Sequence, residues 1–94
     1  MFEIITRWLR DKFRFLAIMQ QANICGPRIK QARETTSLSQ VDLAAALAID
    51  FDIHLDQSDI SEIERGARGV KDYELDAIAR ILQISPLWLL RGEE

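Results

Sequence analysis

The sequence predicts an all-α fold, and three kinds of observation lead to this prediction. Apolar residues recur at intervals of three and four, which places them on one face of a helix. Capping residues begin most of these segments, and Gly or a turn sequence ends them. The segments are short and closely spaced. We therefore expect residues 24–92 to form one compact five-helix domain, preceded by an amphipathic N-terminal helical extension over residues 1–23.

The first helix of the domain is predicted to begin at Gly26-Pro27, because proline is tolerated where a first-turn N–H has no partner. Ile29 and Ala32 share a face, and a Thr-Thr-Ser run ends the helix at about residue 34. Cys25 is the single cysteine and cannot form an internal disulfide, so it is expected to be a small apolar filler beside this helix.

Capping boxes predict the next two helices. Ser39 with Asp42, and Asp56 with Asp59, each place a side-chain acceptor at the N-cap and a carboxylate at the third helical position. Gly66 can take the left-handed conformation that closes the second of these helices. The apolar faces are formed by Leu43, Ala44 and Leu47 in one helix and by Ile60 and Ile63 in the other.

Two further helices complete the domain. Asp72 is expected to cap a helix that runs to about residue 82, and Ser85-Pro86 begins a last helix that Gly92 closes. The first of the two is the cleanest amphipathic segment of the domain. Its apolar face consists of Leu75, Ile78, Ala79 and Leu82.

Four motifs in the expected order resemble the Xre/Cro-type helix-turn-helix family of phage-repressor-like DNA-binding domains, over roughly residues 24–92. They are Gly-Pro-Arg-Ile-Lys-Gln-Ala-Arg at 26–33, Ser-Gln-Val-Asp-Leu-Ala at 39–44, Ile-Ser-Glu-Ile-Glu-Arg-Gly at 60–66 and Leu-Asp-Ala-Ile-Ala at 75–79. The resemblance implies a repressor-like helix-turn-helix domain that usually binds operator DNA as a two-fold dimer, with its third helix in the major groove.

Carried over to this sequence, the resemblance implies that the start of the third helix reads bases. Gln57 is the strongest candidate, because Gln can pair with adenine through two hydrogen bonds, and Ser58 can bond to several base edges. The alternative is that these are merely exposed polar residues, and a carboxylate there also repels phosphate. The full expected set of base contacts is Gln57, Ser58, Asp59, Ser61 and Glu62.

Phosphate contacts are expected from groups that flank the third helix. Gln40 begins the second helix, where its side chain and free N–H groups can meet a phosphate oxygen. Arg33 and Glu64 align with positions that commonly form an ion pair in the family, so a structural role is expected for both. The remaining backbone-contact candidates are Arg65, Arg68 and Lys71 after the third helix, and Lys30 and Arg28 on the first.

The sequence departs from the family pattern in its connector and its charge. The connector between the second and third helices is longer than in the compact form of the motif, since sixteen positions separate Ala44 from Ile60. The extra segment, which contains Phe51, Ile53 and Leu55, is expected to lengthen the second helix and then to return in extended form with its apolar side buried. His54 in the same segment is expected to be a surface residue. Residues 1–34 carry seven Lys and Arg against three Asp and Glu, whereas residues 35–94 carry five against twelve. Weak non-specific DNA binding is therefore expected.

The N-terminal segment is predicted to be a strongly amphipathic helix over residues 2–19. Its apolar half is expected to pack on the domain or on a second protomer. Alternatively, its basic face and aromatic residues suit an interfacial membrane helix, or Met19 is the true start and residues 1–18 have no function. The apolar half consists of Phe2, Ile4, Ile5, Trp8, Leu9, Phe13, Phe15, Leu16 and Met19.

The composition argues against catalysis. A single His leaves no triad, and the sequence has no Gly-rich phosphate loop and no metal-ligand spacing, so no cofactor or metal is expected. The expected function is a sequence-specific transcriptional regulator, most simply a repressor that occupies an operator in double-stranded DNA as a homodimer. The expected location is the cytoplasm, at the nucleoid of a prokaryote or phage host. The alternative is an antitoxin-like or anti-repressor module that binds a protein partner, in part through the N-terminal helix.

Overall fold

The computed structural model describes residues 2–19 and 21–93 of the 94-residue chain, with side chains at 3–14 and 21–93. This part of the chain is all helical and contains no strand, which confirms the predicted fold class. The elements are α1 (Phe2–Met19), α2 (Gly26–Thr35), α3 (Gln40–Phe51), α4 (Gln57–Glu64), α5 (Asp72–Leu82) and α6 (Pro86–Arg91).

Helices α2 to α6 enclose a single apolar core. Helix α3 packs against α4 and α5, and α2 packs against α4, α5 and α6. Each of these five helices contributes a side chain with no solvent-accessible surface: Ile29, Leu43, Ile60, Ile78 and Leu89. The buried apolar set is Cys25, Ile29, Ala32, Leu43, Leu47, Ile60, Ile63, Ala77, Ile78, Ala79, Leu82 and Leu89.

The helix ends are fixed by local hydrogen bonds. The Ser39 hydroxyl accepts from the Asp42 N–H at 3.0 Å, and the Asp42 carboxylate accepts from the Ser39 N–H at the same distance, which completes the first predicted capping box. Gly66 has a φ of 73°, in the left-handed region that favours glycine. The cap predicted for α5 is wrong by one residue. Lys71 is the N-cap, and its N–H donates to Glu74 at 2.9 Å.

The long connector follows the predicted course with one exception. Helix α3 continues to Phe51, and Asp52 then takes a left-handed conformation with a φ of 55°. Ile53 and Leu55 turn back and pack against the core. Phe51 is 37% exposed, because it lies on the last turn of α3 before the chain reverses, so its predicted burial is wrong. His54 is exposed and lies 2.7 Å from the Asp52 carboxylate.

Helix α1 lies away from the core. Every described side chain from residue 3 to residue 14 is exposed, including Trp8 at 57% and Phe13 at 69%. The expectation that α1 packs on its own domain is therefore wrong for these residues. The predictions for the side chains of Phe2, Phe15, Leu16 and Met19 lie outside the described side chains. None of the helices in the described ranges has the length and apolar character needed to cross a membrane.

Candidate nucleic-acid interface

The first turn of α4 is a polar, exposed surface held by a helix cap. Asp56 is the N-cap, and its carboxylate accepts from the Asp59 N–H at 2.8 Å. This bond to a backbone N–H lowers the pKa of Asp56. Gln57 and Ser58 follow the cap immediately, and both side chains are exposed. An exposed amide and an exposed hydroxyl at a helix N-terminus can donate to and accept from base edges.

The other predicted base-contact residues are less exposed than these two. The Asp59 carboxylate accepts from the Asp56 N–H at 3.0 Å and lies 3.9 Å from the Arg68 guanidinium. Ser61 and Glu62 are half-buried one turn further along α4. Asp59 therefore has a structural task in the cap. Gln57 and Ser58 are the exposed residues of this set, and the Ser58 side chain also hydrogen-bonds to Asp56.

An ion pair buried between α2 and α4 fixes the angle of α4. The Arg33 Nε donates to one Glu64 carboxylate oxygen at 2.6 Å, and its Nη2 donates to the other at 3.1 Å. The third guanidinium nitrogen donates to the Leu38 carbonyl at 2.8 Å. The hydrogen bond to Glu64 raises the pKa of Arg33. Gln40 joins this cluster, since its side-chain amide donates to Glu64 at 3.0 Å.

The contact from Gln40 changes how that residue can meet DNA. Its side-chain amide is held by Glu64, whereas the N–H groups in the first turn of α3 are available to a phosphate oxygen. The Ser39 cap satisfies the N–H of Asp42 alone. A phosphate contact at Gln40 is therefore best made by the backbone.

A second ion pair lies at the end of the loop that follows α4. The Arg68 guanidinium contacts both Glu74 carboxylate oxygens, at 3.2 and 3.3 Å. Glu74 is 2% exposed. Burial raises the pKa of Glu74, but hydrogen bonds from Arg68 and from the Lys71 N–H outweigh burial, and the net shift is downward. Arg68 is thus largely neutralised by Glu74, which reduces the charge it can offer to a phosphate.

The remaining cations are divided between two regions. Arg65 and Lys71 are exposed on either side of Arg68, and the Lys71 ammonium lies 5.8 Å from the Tyr73 ring centroid. Arg28 is directed instead at the Leu89 and Leu90 carbonyls of α6, each at 3.5 Å. Lys30 is exposed on α2. The loop cations therefore lie within seven consecutive residues of the sequence, whereas Arg28 is engaged at the C-terminal helix.

The local charge balance matches the expectation from the sequence. Residues 56–74 hold three cations, Arg65, Arg68 and Lys71, against six carboxylates. Because attraction to phosphate supplies most non-specific affinity, an acidic recognition segment keeps that affinity low.

Two residues that position this surface were not predicted from the sequence. The Glu74 carboxylate accepts hydrogen bonds from Arg68 and from the Lys71 N–H. The sequence pattern that could have indicated this role is the three-residue spacing of Lys71 and Glu74, which is the spacing of an N-cap and the third helical position. Asn23 precedes α2 and donates to the carbonyls of Ile63 and Arg68, at 2.9 and 2.7 Å. Its only sequence signal was an amide three residues before Gly26.

Comparison with known proteins supports the same interpretation. The Helix-turn-helix family model matches residues 29–89. A crystal structure of the P22 c2 repressor in complex with synthetic operator 9T is similar at 27% identity and a TM-score of 0.64, over 76% of this chain and 98% of that one. No significant match is found among curated proteins. The match covers more than half of the sequence, and the chain therefore belongs to the Xre/Cro-type helix-turn-helix family.

Proposed function

We propose that this protein is a sequence-specific DNA-binding transcriptional repressor that acts by occupying an operator. The observation that carries the proposal is the first turn of α4, where Gln57 and Ser58 are exposed on a fold shared with an operator-bound repressor. Gln57 reads adenine in the major groove, and Ser58 bonds to a neighbouring base edge. Asp59, Ser61 and Glu62 line the same helix and belong to the proposed contact surface.

Phosphate contacts in this proposal flank the recognition helix. Arg65 and Lys71 supply charge from the loop after α4, and the first-turn N–H groups of α3 at Gln40 bind a phosphate oxygen. Arg68 is a weaker member of the proposed set, because Glu74 largely neutralises its charge. Lys30 and Arg28 are the outer members. The proposal divides the chain into an N-terminal extension at residues 1–23 and a helix-turn-helix domain at residues 24–92.

The proposed binding unit is a two-fold homodimer located at the nucleoid in the cytoplasm of a prokaryote or phage host. The exposed apolar side chains of α1, such as Ile4, Trp8 and Phe13, offer a surface for a second copy or another protein. An antitoxin-like or anti-repressor role on the same fold is not favoured by the family and structural matches.

Selection of binding sites from a random duplex pool, at about 0.1 M salt, tests the proposal. We expect enrichment of a two-fold motif with half-sites about 34 Å apart, which is one turn of DNA. A motif with a single half-site would retain DNA recognition but contradict the dimer. Folded protein that enriches no motif would contradict sequence-specific DNA binding altogether.

A further inference from the structure

We propose that Asn23 positions α4, the proposed recognition helix, for DNA binding. Asn23 lies outside the helix-turn-helix motif, and its side chain caps the C-terminal end of α4. The inference rests on the proposed function, since it concerns how α4 is held for base reading. Asn23 precedes the residues that the family model matches, which begin at residue 29. Asn23 lies in residues 21–25, the linker between α1 and α2, and outside the residues that the family model matches.

Helix α4 is short, and its last carbonyls depend on donors that lie beyond the helix. It contains eight residues, and a helix of that length is marginal in water without tertiary contacts. The last four carbonyls of any helix have no partner within the helix. The Ile63 carbonyl accepts from the Gly66 N–H at 3.0 Å, and the Asn23 side-chain amide is its second donor, at 2.9 Å.

The same amide group also holds the loop that follows α4. It donates to the Arg68 carbonyl at 2.7 Å, so one NH₂ group joins the helix end to a residue between Arg65 and Lys71. The Ala22 N–H donates to the Gly66 carbonyl at 3.0 Å, which adds a backbone contact between the two segments. The linker thus restrains both the recognition helix and the loop that bears the proposed phosphate contacts.

The oxygen of the Asn23 side chain has a separate task. It accepts from the Gly26 N–H at 2.7 Å, at the beginning of α2. Gly26 makes this approach possible, because a Cβ there would lie 2.1 Å from the Ile63 carbonyl oxygen. Asn23 therefore serves the start of α2 through its oxygen and the end of α4 through its nitrogen, and the two tasks can be separated by mutation.

The substitution Asn23→Asp separates the contact with α2 from the contact with α4. A carboxylate of nearly the same shape still accepts from the Gly26 N–H, and its charge suits the positive end of the α2 dipole. It cannot donate to the Ile63 and Arg68 carbonyls, and it places negative charge beside the negative end of α4. Asn23→Ala removes both sets of bonds. Ser85→Ala is the matched control, because it removes the α6 N-cap bond to the Leu87 N–H without touching α4.

The experiment measures two quantities for wild type and the three variants: the affinity for the selected operator and for an unrelated duplex, and amide hydrogen exchange along the chain. For Asn23→Asp we expect a loss of about tenfold on the operator, the effect of one or two lost hydrogen bonds, with less than about twofold change on the unrelated duplex. Exchange should accelerate at the end of α4 and in residues 65–69. Ser85→Ala should accelerate exchange at α6 and leave the ratio of the two affinities unchanged.

The outcomes separate this inference from the proposed function. If wild type selects an operator and Asn23→Asp binds it as tightly as wild type, Asn23 does not position α4. If Asn23→Asp loses equal affinity for both duplexes, or if Ser85→Ala shows the same change of affinity ratio, Asn23 only stabilises the fold. Either result would overturn this inference and leave the proposed function standing. If wild type prefers no duplex, the proposed function fails and this inference fails with it.

Discussion

The Glu64 carboxylate binds two segments of the helix-turn-helix at once: it pairs with Arg33 at 2.6 and 3.1 Å, and it accepts from Gln40 at 3.0 Å. Arg33 belongs to α2, Gln40 begins α3, and Glu64 ends α4. A single buried carboxylate therefore sets the relative angles of three helices, including the one proposed to read DNA.

Removal of this carboxylate should be severely destabilising. Glu64→Ala leaves the guanidinium of Arg33, which is 8% exposed, without its partner, and breaking a buried pair in this way lowers the free energy of unfolding by about 3–5 kcal/mol. The measurement is urea denaturation followed by fluorescence. Asp76→Ala breaks the exposed pair with Arg80 and should change the free energy of unfolding by less than about 1 kcal/mol. Equal losses of unfolding free energy in the two variants would show that the buried pair stabilises the protein no more than the exposed pair does.

The contact between α2 and α4 should tolerate no side chain at residue 26. A Cβ on Gly26 would lie 2.1 Å from the Ile63 carbonyl oxygen, which is backbone and can move little. Gly26→Ala should lower the free energy of unfolding by about 1–3 kcal/mol. Gly69→Ala is the control, since a Cβ there meets its nearest atom at an ordinary 3.8 Å. The prediction fails if urea midpoints for the two variants coincide.

The pair of Arg68 and Glu74 predicts a specific response to acid. The pKa of Glu74 is lowered in the folded protein, so its stabilising effect is complete above pH 4.5, the ordinary value, and is lost as pH falls through the folded value. Glu74→Gln should therefore be much less stable than wild type at pH 7, and the difference should shrink below pH 4.5. Urea denaturation at a series of pH values measures it. A difference that stays constant down to pH 3 would contradict the lowered pKa.

Lys71 should contribute affinity without selectivity. Lys71 is exposed, and its attraction to Glu74 is weaker than that of Arg68. Lys71→Ala should therefore weaken binding to all duplexes alike and reduce the slope of log K against log salt by about 1. Titrations of operator and unrelated duplex at several salt concentrations measure this slope. Arg80→Ala, on α5, serves as the control cation. Arg68→Ala is a poorer probe, because it also leaves the Glu74 carboxylate buried without a partner. A loss confined to the operator would show that Lys71 reads sequence.

Much of the fold follows from short-range patterns. The two capping boxes predicted the starts of α3 and α4. The apolar spacing in α5 predicted the burial of Ile78, Ala79 and Leu82, whereas Leu75 is half-buried and the buried Ala77 was not predicted. Each of these signals lies within one helix, where spacing determines which side chains share a face. Gln57 and Ser58 could also be placed from sequence, because their exposure follows from the cap that precedes them.

Contacts between distant segments could not be predicted in this way. Asn23 bonds to residues 40 and 45 positions away, and no periodic pattern connects them. The pairing of Arg68 with Glu74 depends on how the loop after α4 folds back onto α5. The burial of Phe51 was predicted wrongly for a related reason. Phe51 is the last residue of α3, the chain reverses at the left-handed Asp52, and this reversal leaves the Phe51 ring outside the core.

The most direct measurement of the central claim, that the start of α4 reads bases, is the affinity of wild type and Gln57→Ala for the selected operator and for all of its single-base variants. We expect Gln57→Ala to lose about 1–3 kcal/mol on the operator and to accept any base at one position of each half-site, while other positions keep their preferences. Ser85→Ala should reproduce the wild-type profile at every position. A uniform loss on all variants, with every preference intact, would contradict base reading by Gln57 and would require another surface of the domain to provide sequence recognition.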